Sequence, residues 1–203
     1  LHHLDRCLTC RNCESTCPSG VQYSRLLDIG RNILVTEVQR PRRETAMRTF
    51  LRRFIACRPL FHGLMKAGRV LRPILPAVMQ AKIPPVHHPV GQWPTRAHAR
   101  RVLMLNSCVQ EAMLPAVDRA TARVLDMLGI QAIIEKESGC CGSLPFHLDD
   151  EPGGLDDARR NIDAWWPHIS AGAEAIVINI SGCGAMVKEY GHLLRADPAY
   201  AER

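Results

Sequence analysis

The spacing of hydrophobic positions changes near residue 98, and this change divides the chain into two parts. Before it, apolar residues recur every three or four positions, which predicts amphipathic helices. After it, short continuous apolar runs alternate with helical patterns, which predicts strands alternating with helices. The pattern therefore favours a helical first half followed by an α/β domain.

The first half is predicted to contain three helices and then an extended connector. The apolar face of the first helix consists of Leu26, Leu27, Gly30, Ile33 and Leu34. A second helix is predicted over residues 43–56 and a third over 61–71, with Pro59 as the break between them. Six prolines within residues 73–94 predict a stiff connector.

The second half is predicted to alternate strands with helices. The predicted strands cover residues 102–105, 130–135 and 175–180. The predicted helices cover residues 117–128, 158–172 and 184–194. Alternation of this kind produces a parallel sheet with right-handed connections.

The strongest chemical signal in the chain lies before the first helix. It is the run C-x2-C-x2-C-x3-C-P, formed by Cys7, Cys10, Cys13, Cys17 and Pro18. This is the spacing of a bacterial ferredoxin motif, in which three thiolates bind one iron–sulfur cluster and the fourth ligates the cluster of a second motif. The sequence contains one copy of the run. A zinc site is less favoured, because zinc usually takes two separated C-x2-C pairs.

A second group of cysteines follows the predicted strands. Its members are Cys108 after the first strand, Cys140 and Cys141 after the second, and Cys183 after the third. In an open parallel sheet, ligands bind at the carboxyl ends of the strands. Four thiols distant in sequence should therefore meet at one edge and form a metal or redox site, although buried structural cysteines are the simpler alternative.

Positive charge is concentrated in one segment of a chain whose net charge is +6. Residues 40–72 contain ten Lys or Arg residues and one acid, Glu44. Three interpretations remain open: a solvated helical face, docking on an acidic protein partner, or contact with a membrane surface through Phe50, Phe54 and Phe61. Nucleic-acid binding is less favoured, because no groove-reading motif is present.

The remaining residues offer little independent chemistry. Cys57 stands alone and is expected to be a core or surface thiol. His147 lies near Cys141 in sequence and is a candidate for tuning a cluster by hydrogen bonding. No acid–base pair, nucleophile triad or phosphate loop is evident. Nine cysteines, several clustered, are typical of a protein in a reducing cytoplasm.

Two blocks of sequence resemble a known family. Residues 4–21 and the following residues 25–31 resemble the second ferredoxin motif of glycolate oxidase iron–sulfur subunits. The cysteines at 108, 140–141 and 183, with Gly142, resemble the cysteine-rich CCG domain of that family. This domain is shared by the B component of heterodisulfide reductase, by lactate-utilisation iron–sulfur proteins and by the C component of anaerobic glycerol-3-phosphate dehydrogenase.

The resemblance implies a division of the chain into four parts. These are the C-terminal half of a ferredoxin-like domain (1–38), a basic helical region (39–83), a Pro-rich connector (84–98) and a CCG α/β domain with a parallel sheet (99–203). Family members also carry an earlier ferredoxin motif and a second CCG domain. The chain is therefore expected to be part of a longer subunit.

The resemblance also implies cofactors and partners. Cys7, Cys10 and Cys13 would bind one [4Fe–4S] cluster, and Cys17 would complete another. A further iron–sulfur cluster is expected at Cys108, Cys140, Cys141 and Cys183. The implied function is electron transfer from FAD-containing glycolate oxidase subunits to a quinone or another acceptor, without independent substrate chemistry. The implied location is cytoplasmic and peripheral to the inner membrane.

Other functions remain open from the sequence. The same domain serves lactate or glycerol-3-phosphate oxidation in related complexes. A thiol-rich zinc-binding interaction module is an alternative of a different class, and a basic nucleic-acid-binding protein is a third. Iron with acid-labile sulfide would distinguish the first class from the zinc module.

Overall fold

The structure is a computed structural model that describes residues 2–7, 9–85 and 89–203. Residues 86–88 of the predicted connector, and residue 8 of the cysteine run, lie outside the described residues. In the part of the chain that is described, no helix is long and apolar enough to cross a membrane.

Helices form most of the regular structure. The helices of the first half are α1 (His2–Asp5), α2 (Asn12–Ser15), α3 (Tyr23–Glu37), α4 (Arg42–Ala56), α5 (Arg58–Leu71), a 3₁₀ turn (Arg72–Ile74) and α6 (Ala77–Gln80). The elements of the second half are β1 (Arg100–Met104), α7 (Gln110–Met113), α8 (Pro115–Met127), β2 (Ile130–Ile133), α9 (Ser143–His147), α10 (Glu151–Ser170), β3 (Ile176–Val177), α11 (Ser181–Lys188), α12 (Tyr190–Leu193) and α13 (Pro198–Ala201).

The three strands form a parallel sheet in the order β2-β1-β3, which confirms the predicted parallel sheet. Leu103 pairs with Ile133 on one side and with Ile176 on the other. The third strand is shorter than predicted. Because β1 ends at Met104, the residues after Val177 have no strand beside them with which to continue the ladder.

The central strand β1 supplies both faces of the core. Successive side chains of a strand point to opposite faces. Leu103 therefore packs with Trp165 and Leu194 on one face, whereas Val102 and Met104 pack with other apolar groups on the opposite face. The larger core lies between the sheet and α10.

The predicted helices of the first half are present, but two details differ. Helix α5 begins at Arg58 and contains Pro59 in its first turn, where the missing N–H of proline costs nothing. The predicted apolar face of α3 is not a buried stripe. Leu27 is buried, whereas Leu26 is 57% exposed and Ile33 is 54% exposed.

Arginines of the basic segment attach α4 and α5 to the rest of the molecule. Arg40 forms two hydrogen bonds to the Asp5 carboxylate, at 2.6 and 2.7 Å, and its Nε lies 3.4 Å from Asp149. Arg69 donates to the carbonyl oxygens of Ala112 and Met113. Part of the basic segment therefore makes internal contacts rather than forming a solvated face.

Candidate metal centre

Three loops at the carboxyl edge of the sheet bring four cysteines together. Cys108 follows β1, Cys140 and Cys141 follow β2, and Cys183 lies in the first turn of α11 after β3. Cys108, Cys140 and Cys141 are buried, and Cys183 is partly buried. These residues come from positions up to 75 apart in sequence, so only the topology of the sheet can assemble them.

The four thiols form a continuous chain of contacts. The Cys108 thiol donates to Cys140 Sγ at 3.7 Å, Cys141 also contacts Cys140, and Cys183 contacts Cys141. The hydrogen bonds from Cys108 and Cys141 lower the pKa of Cys140 well below that of a free thiol. The contact with Cys140, together with burial, raises the pKa of Cys108. Hydrogen bonding within the group thus favours the thiolate form of Cys140 and Cys183 over that of Cys108 and Cys141.

This donor set suits iron–sulfur chemistry. Soft thiolates are the preferred ligands of iron–sulfur clusters, and burial away from solvent is one of the factors that set a cluster's potential. Among the described residues, no group of three or more His, Cys, Asp or Glu side chains is arranged to hold a metal ion. The four cysteines nevertheless supply the soft donors that a cluster requires. Their thiols contact one another here, so they would have to move apart to surround a bound cluster.

Asn161 and Tyr190 hold the backbone of the Cys140–Cys141 loop. Asn161 has no exposed surface; its Oδ1 accepts from the Gly139 N–H at 2.8 Å. Its Nδ2 donates to the Cys140 carbonyl oxygen at 2.8 Å and to the Tyr190 hydroxyl at 3.1 Å. The Tyr190 hydroxyl donates in turn to the Cys141 carbonyl oxygen at 2.8 Å. The loop is therefore fixed by a fully bonded polar network inside an apolar core.

Gly142 permits the close packing of this loop against α10. Its φ is +81°, a conformation that side chains rarely adopt. A Cβ at this position would lie 2.3 Å from the carbonyl oxygen of Gly154. Both the backbone conformation and the available space therefore require glycine after the cysteine pair.

A carboxylate and a guanidinium flank Cys140. Arg160 pairs with Asp157 at 2.7 Å. Burial raises the pKa of Asp157 to about 6, the negative charge of Cys140 adds to this rise, and Arg160 opposes it. The positive charge of Arg160 also helps to lower the pKa of Cys140.

The first cysteine run has a different, open arrangement. Cys7, Cys10 and Cys13 are exposed, and Cys17 is partly exposed. Backbone N–H groups of residues 19–21 point at the Cys17 sulfur and lower its pKa. Such N–H groups are also the usual hydrogen-bond donors to cluster sulfur. The ferredoxin-like fold of residues 1–38 stays a prediction.

Two arginines join this run to the second half of the chain. Arg31 donates to the carbonyl oxygens of Leu4 and Cys7 and, at 2.8 Å, to His147 Nδ1. Arg11 pairs with Glu189, just after the helix that carries Cys183. Arg31 and Arg11 thus contact the segments that follow Cys141 and Cys183.

The outcomes for the other singled-out residues are mixed. His147 binds Arg31, and its role in tuning a cluster stays a prediction. Cys57 is an exposed thiol between α4 and α5. Sequence reasoning missed Asn161, although a polar residue within the apolar face of Ala158, Ile162 and Trp165 was a usable signal. It also missed Tyr190, for which nothing local in the sequence indicated a partner.

Comparison with known proteins identifies the second half of the chain. Residues 102–188 match the family model of the CCG cysteine-rich domain. This part of the chain is a CCG domain. The matched range contains all four cysteines at the edge of the sheet.

Similarity extends beyond the CCG domain. Over 99% of its length, the chain is 52% identical to the glycolate oxidase iron–sulfur subunit of Escherichia coli, and over 98% it is 32% identical to the probable glycolate oxidase iron–sulfur subunit of Bacillus subtilis. The chain is a relative of these subunits, and it spans about half the length of each. Lactate utilization protein A of Bacillus pumilus is 30% identical over 50% of the chain and 40% of its own length. No solved structure matches the chain.

Proposed function

We propose that this chain is the iron–sulfur electron-transfer part of a glycolate oxidase complex. It would pass electrons from an FAD-containing subunit to a quinone-type acceptor. The observation that supports this most strongly is the convergence of Cys108, Cys140, Cys141 and Cys183 from three strand ends. The 52% identity to the iron–sulfur subunit of Escherichia coli indicates the complex to which the chain would belong.

In this proposal the two groups of cysteines have separate roles. The CCG cysteines hold one iron–sulfur cluster, while Cys7, Cys10 and Cys13 supply three ligands of a [4Fe–4S] cluster and Cys17 supplies one ligand of another. Bound clusters would accept and release single electrons. The residues of this chain hold the sulfur ligands in place, exclude water from the buried site and set its charge through Asp157 and Arg160.

Lactate oxidation is the second candidate function. The lactate utilization relatives match only about half of the chain, whereas the glycolate oxidase relatives match nearly all of it. Co-purification with a flavoprotein, followed by reduction of the clusters with glycolate or lactate, separates the two. Faster reduction by lactate would contradict the proposal.

A metal analysis tests the cofactor itself. After anaerobic reconstitution, we expect iron and acid-labile sulfide together with an electron paramagnetic resonance (EPR) signal of a reduced cluster. Cys140→Ser should lower the iron content, whereas Cys57→Ser, which removes an exposed thiol outside both groups, should leave it unchanged. Zinc without sulfide would instead support a zinc-binding module.

The same proposal includes a location: the protein is cytoplasmic and binds peripherally to the inner membrane. Phe50 is 58% exposed and Met47 is 53% exposed. Arg42, Arg43 and Arg53 are exposed on the same helix. Exposed apolar and basic groups together favour binding at an anionic lipid surface. We expect the protein to sediment with anionic vesicles but not with neutral ones, and we expect Phe50→Ser to lose this binding. Equal binding to anionic and neutral vesicles would contradict the membrane contact.

A further inference from the structure

A small cavity lies between the cysteine run and the CCG domain. Its volume is about 70 Å³. One wall includes Thr9, Ser24 and Asp28, and the other includes Ser143 and Gly182. Ser143 is two residues after Cys141, and Gly182 directly precedes Cys183. The cavity therefore touches the segments that carry both groups of cysteines.

One buried polar atom in this wall lacks a partner. Asp28 Oδ1 has no hydrogen-bond partner among residues 2–7, 9–85 and 89–203. The nearby Ser24, which is 8% exposed, is engaged with the Glu14 carboxylate. Buried polar atoms are nearly always bonded to protein or to ordered water. A cavity of this volume is large enough, because one water needs about 10–15 Å³ on this measure.

The protonation of His147, which also lines the cavity, follows from its contact with Arg31. The Arg31 guanidinium is always a donor, so Nδ1 of His147 must accept and the ring proton lies on Nε2. Burial, assisted by the Arg31 charge, lowers the pKa of His147 to about 4. His147 is therefore neutral: its Nδ1 accepts the hydrogen bond from Arg31, and its Nε2–H remains a donor.

Burial favours the neutral form of Asp28 as well, but for a carboxyl group this means a raised pKa. Burial raises the pKa of Asp28 to about 6. Arg31 on the same helix and Arg11 from the cysteine run oppose this rise, whereas Glu151 and Glu189 from the CCG domain add to it. Asp28 is thus the acidic group of the cavity whose protonation responds to a change of charge near neutral pH.

We propose that this cavity binds a cluster of ordered water molecules, and that Asp28 takes up a proton through this water when an adjacent iron–sulfur site is reduced. This inference rests on the proposed function. The flavoprotein partner supplies one electron to the cluster, and bulk water supplies one proton to Asp28 Oδ1, which becomes a neutral carboxylic acid. Reoxidation releases both. The physical reason is that an added negative charge raises the pKa of a nearby acid in a medium of low dielectric constant.

The decisive experiment is an EPR-monitored redox titration of the holoprotein in complex with its flavoprotein, between pH 5 and 8. We expect the reduction potential of at least one cluster to fall as pH rises through the pKa of Asp28. Asp28→Asn should abolish this dependence without loss of iron. Glu37→Gln, on an exposed position of the same helix, should retain it.

These measurements distinguish a failure of the proposed function from a failure of the Asp28 proposal alone. Absence of any cluster signal in the wild type would overturn the proposed function, and the Asp28 proposal with it. A normal signal with a potential independent of pH, or a pH dependence that persists in Asp28→Asn, would overturn only the Asp28 proposal. A high-resolution crystal structure should show water bonded to Asp28 Oδ1; a dry cavity would also overturn the Asp28 proposal.

Discussion

Asn161 Nδ2 lies 2.8 Å from the carbonyl oxygen of Cys140, at a position where Asn161 has no exposed surface. The same amide bonds Gly139 and Tyr190, so all of its hydrogen-bonding groups are used on or beside the cysteine loop. A polar residue this deeply buried is tolerated only when its bonds are complete. The position of the Cys140–Cys141 loop therefore depends on one side chain of α10.

Asn161→Leu should remove this support with little change in volume. It leaves the Gly139 N–H and the Cys140 carbonyl oxygen buried without partners, and we expect a loss of about 2–4 kcal/mol in the free energy of unfolding. Tyr190→Phe removes two bonds, the one that the hydroxyl donates to the Cys141 carbonyl oxygen and the one that it accepts from Asn161 Nδ2, and should cost about 1–3 kcal/mol. Chemical denaturation measures both.

Tyr200→Phe is the matched control for Tyr190→Phe. The Tyr200 hydroxyl donates to Asp163 at 2.8 Å, but this bond is exposed. We expect its loss to change the free energy of unfolding by less than about 0.5 kcal/mol. An equal effect of the two tyrosine variants would contradict the role assigned to Tyr190.

Gly142→Ala should be among the most damaging small substitutions. It places a Cβ 2.3 Å from the Gly154 carbonyl oxygen at a φ of +81°. We expect a loss of about 3 kcal/mol or more in the free energy of unfolding, from backbone strain and overpacking together. Iron binding should fall in parallel.

Gly172→Ala separates these two causes. Gly172 also has a positive φ, +91°, but a Cβ there would meet nothing within 4 Å. The strain alone should cost about 1–2 kcal/mol and leave iron binding intact. If both glycine variants behaved alike, close packing at Gly142 would not be the reason for its glycine.

Arg69→Ala should loosen the attachment of α5 to the CCG domain. The Arg69 guanidinium donates to two carbonyl oxygens at the end of α7, at 2.6 and 2.8 Å. We expect a loss of about 1–2 kcal/mol in the free energy of unfolding, because hydrogen bonds from a charged donor are strong. Lys66→Ala removes an exposed charge from the same helix and should change stability by less than about 0.5 kcal/mol.

Glu135→Gln should show a stability effect that depends on pH. The hydrogen bond from His168, at 2.8 Å, lowers the pKa of Glu135. A lowered carboxyl pKa contributes stability above the unfolded value and loses it as pH falls through the folded value. We therefore expect Glu135→Gln to be less stable than wild type at pH 6 and equal to it near pH 3. A difference that does not change with pH would contradict this explanation.

Much of the fold was predictable from local patterns. The apolar run at residues 102–105 predicted a buried central strand, and the alternation after residue 98 predicted a parallel sheet. Ends of elements were less predictable: α5 begins at Arg58 because proline is tolerated in a first helical turn. Exposure of the apolar side of α3 was not predictable, because periodicity shows that a face is apolar but not what covers it.

The sequence by itself determined which residues could bind metal, because cysteine spacing and the glycine after Cys141 depend on local chemistry alone. It also determined that Cys108, Cys141 and Cys183 follow parallel strands and so point to one edge. Only the tertiary structure decided which distant side chains surround them. Asn161, Arg31 and Asp28 acquire their roles through contacts between segments far apart in the chain, and no local pattern records such contacts.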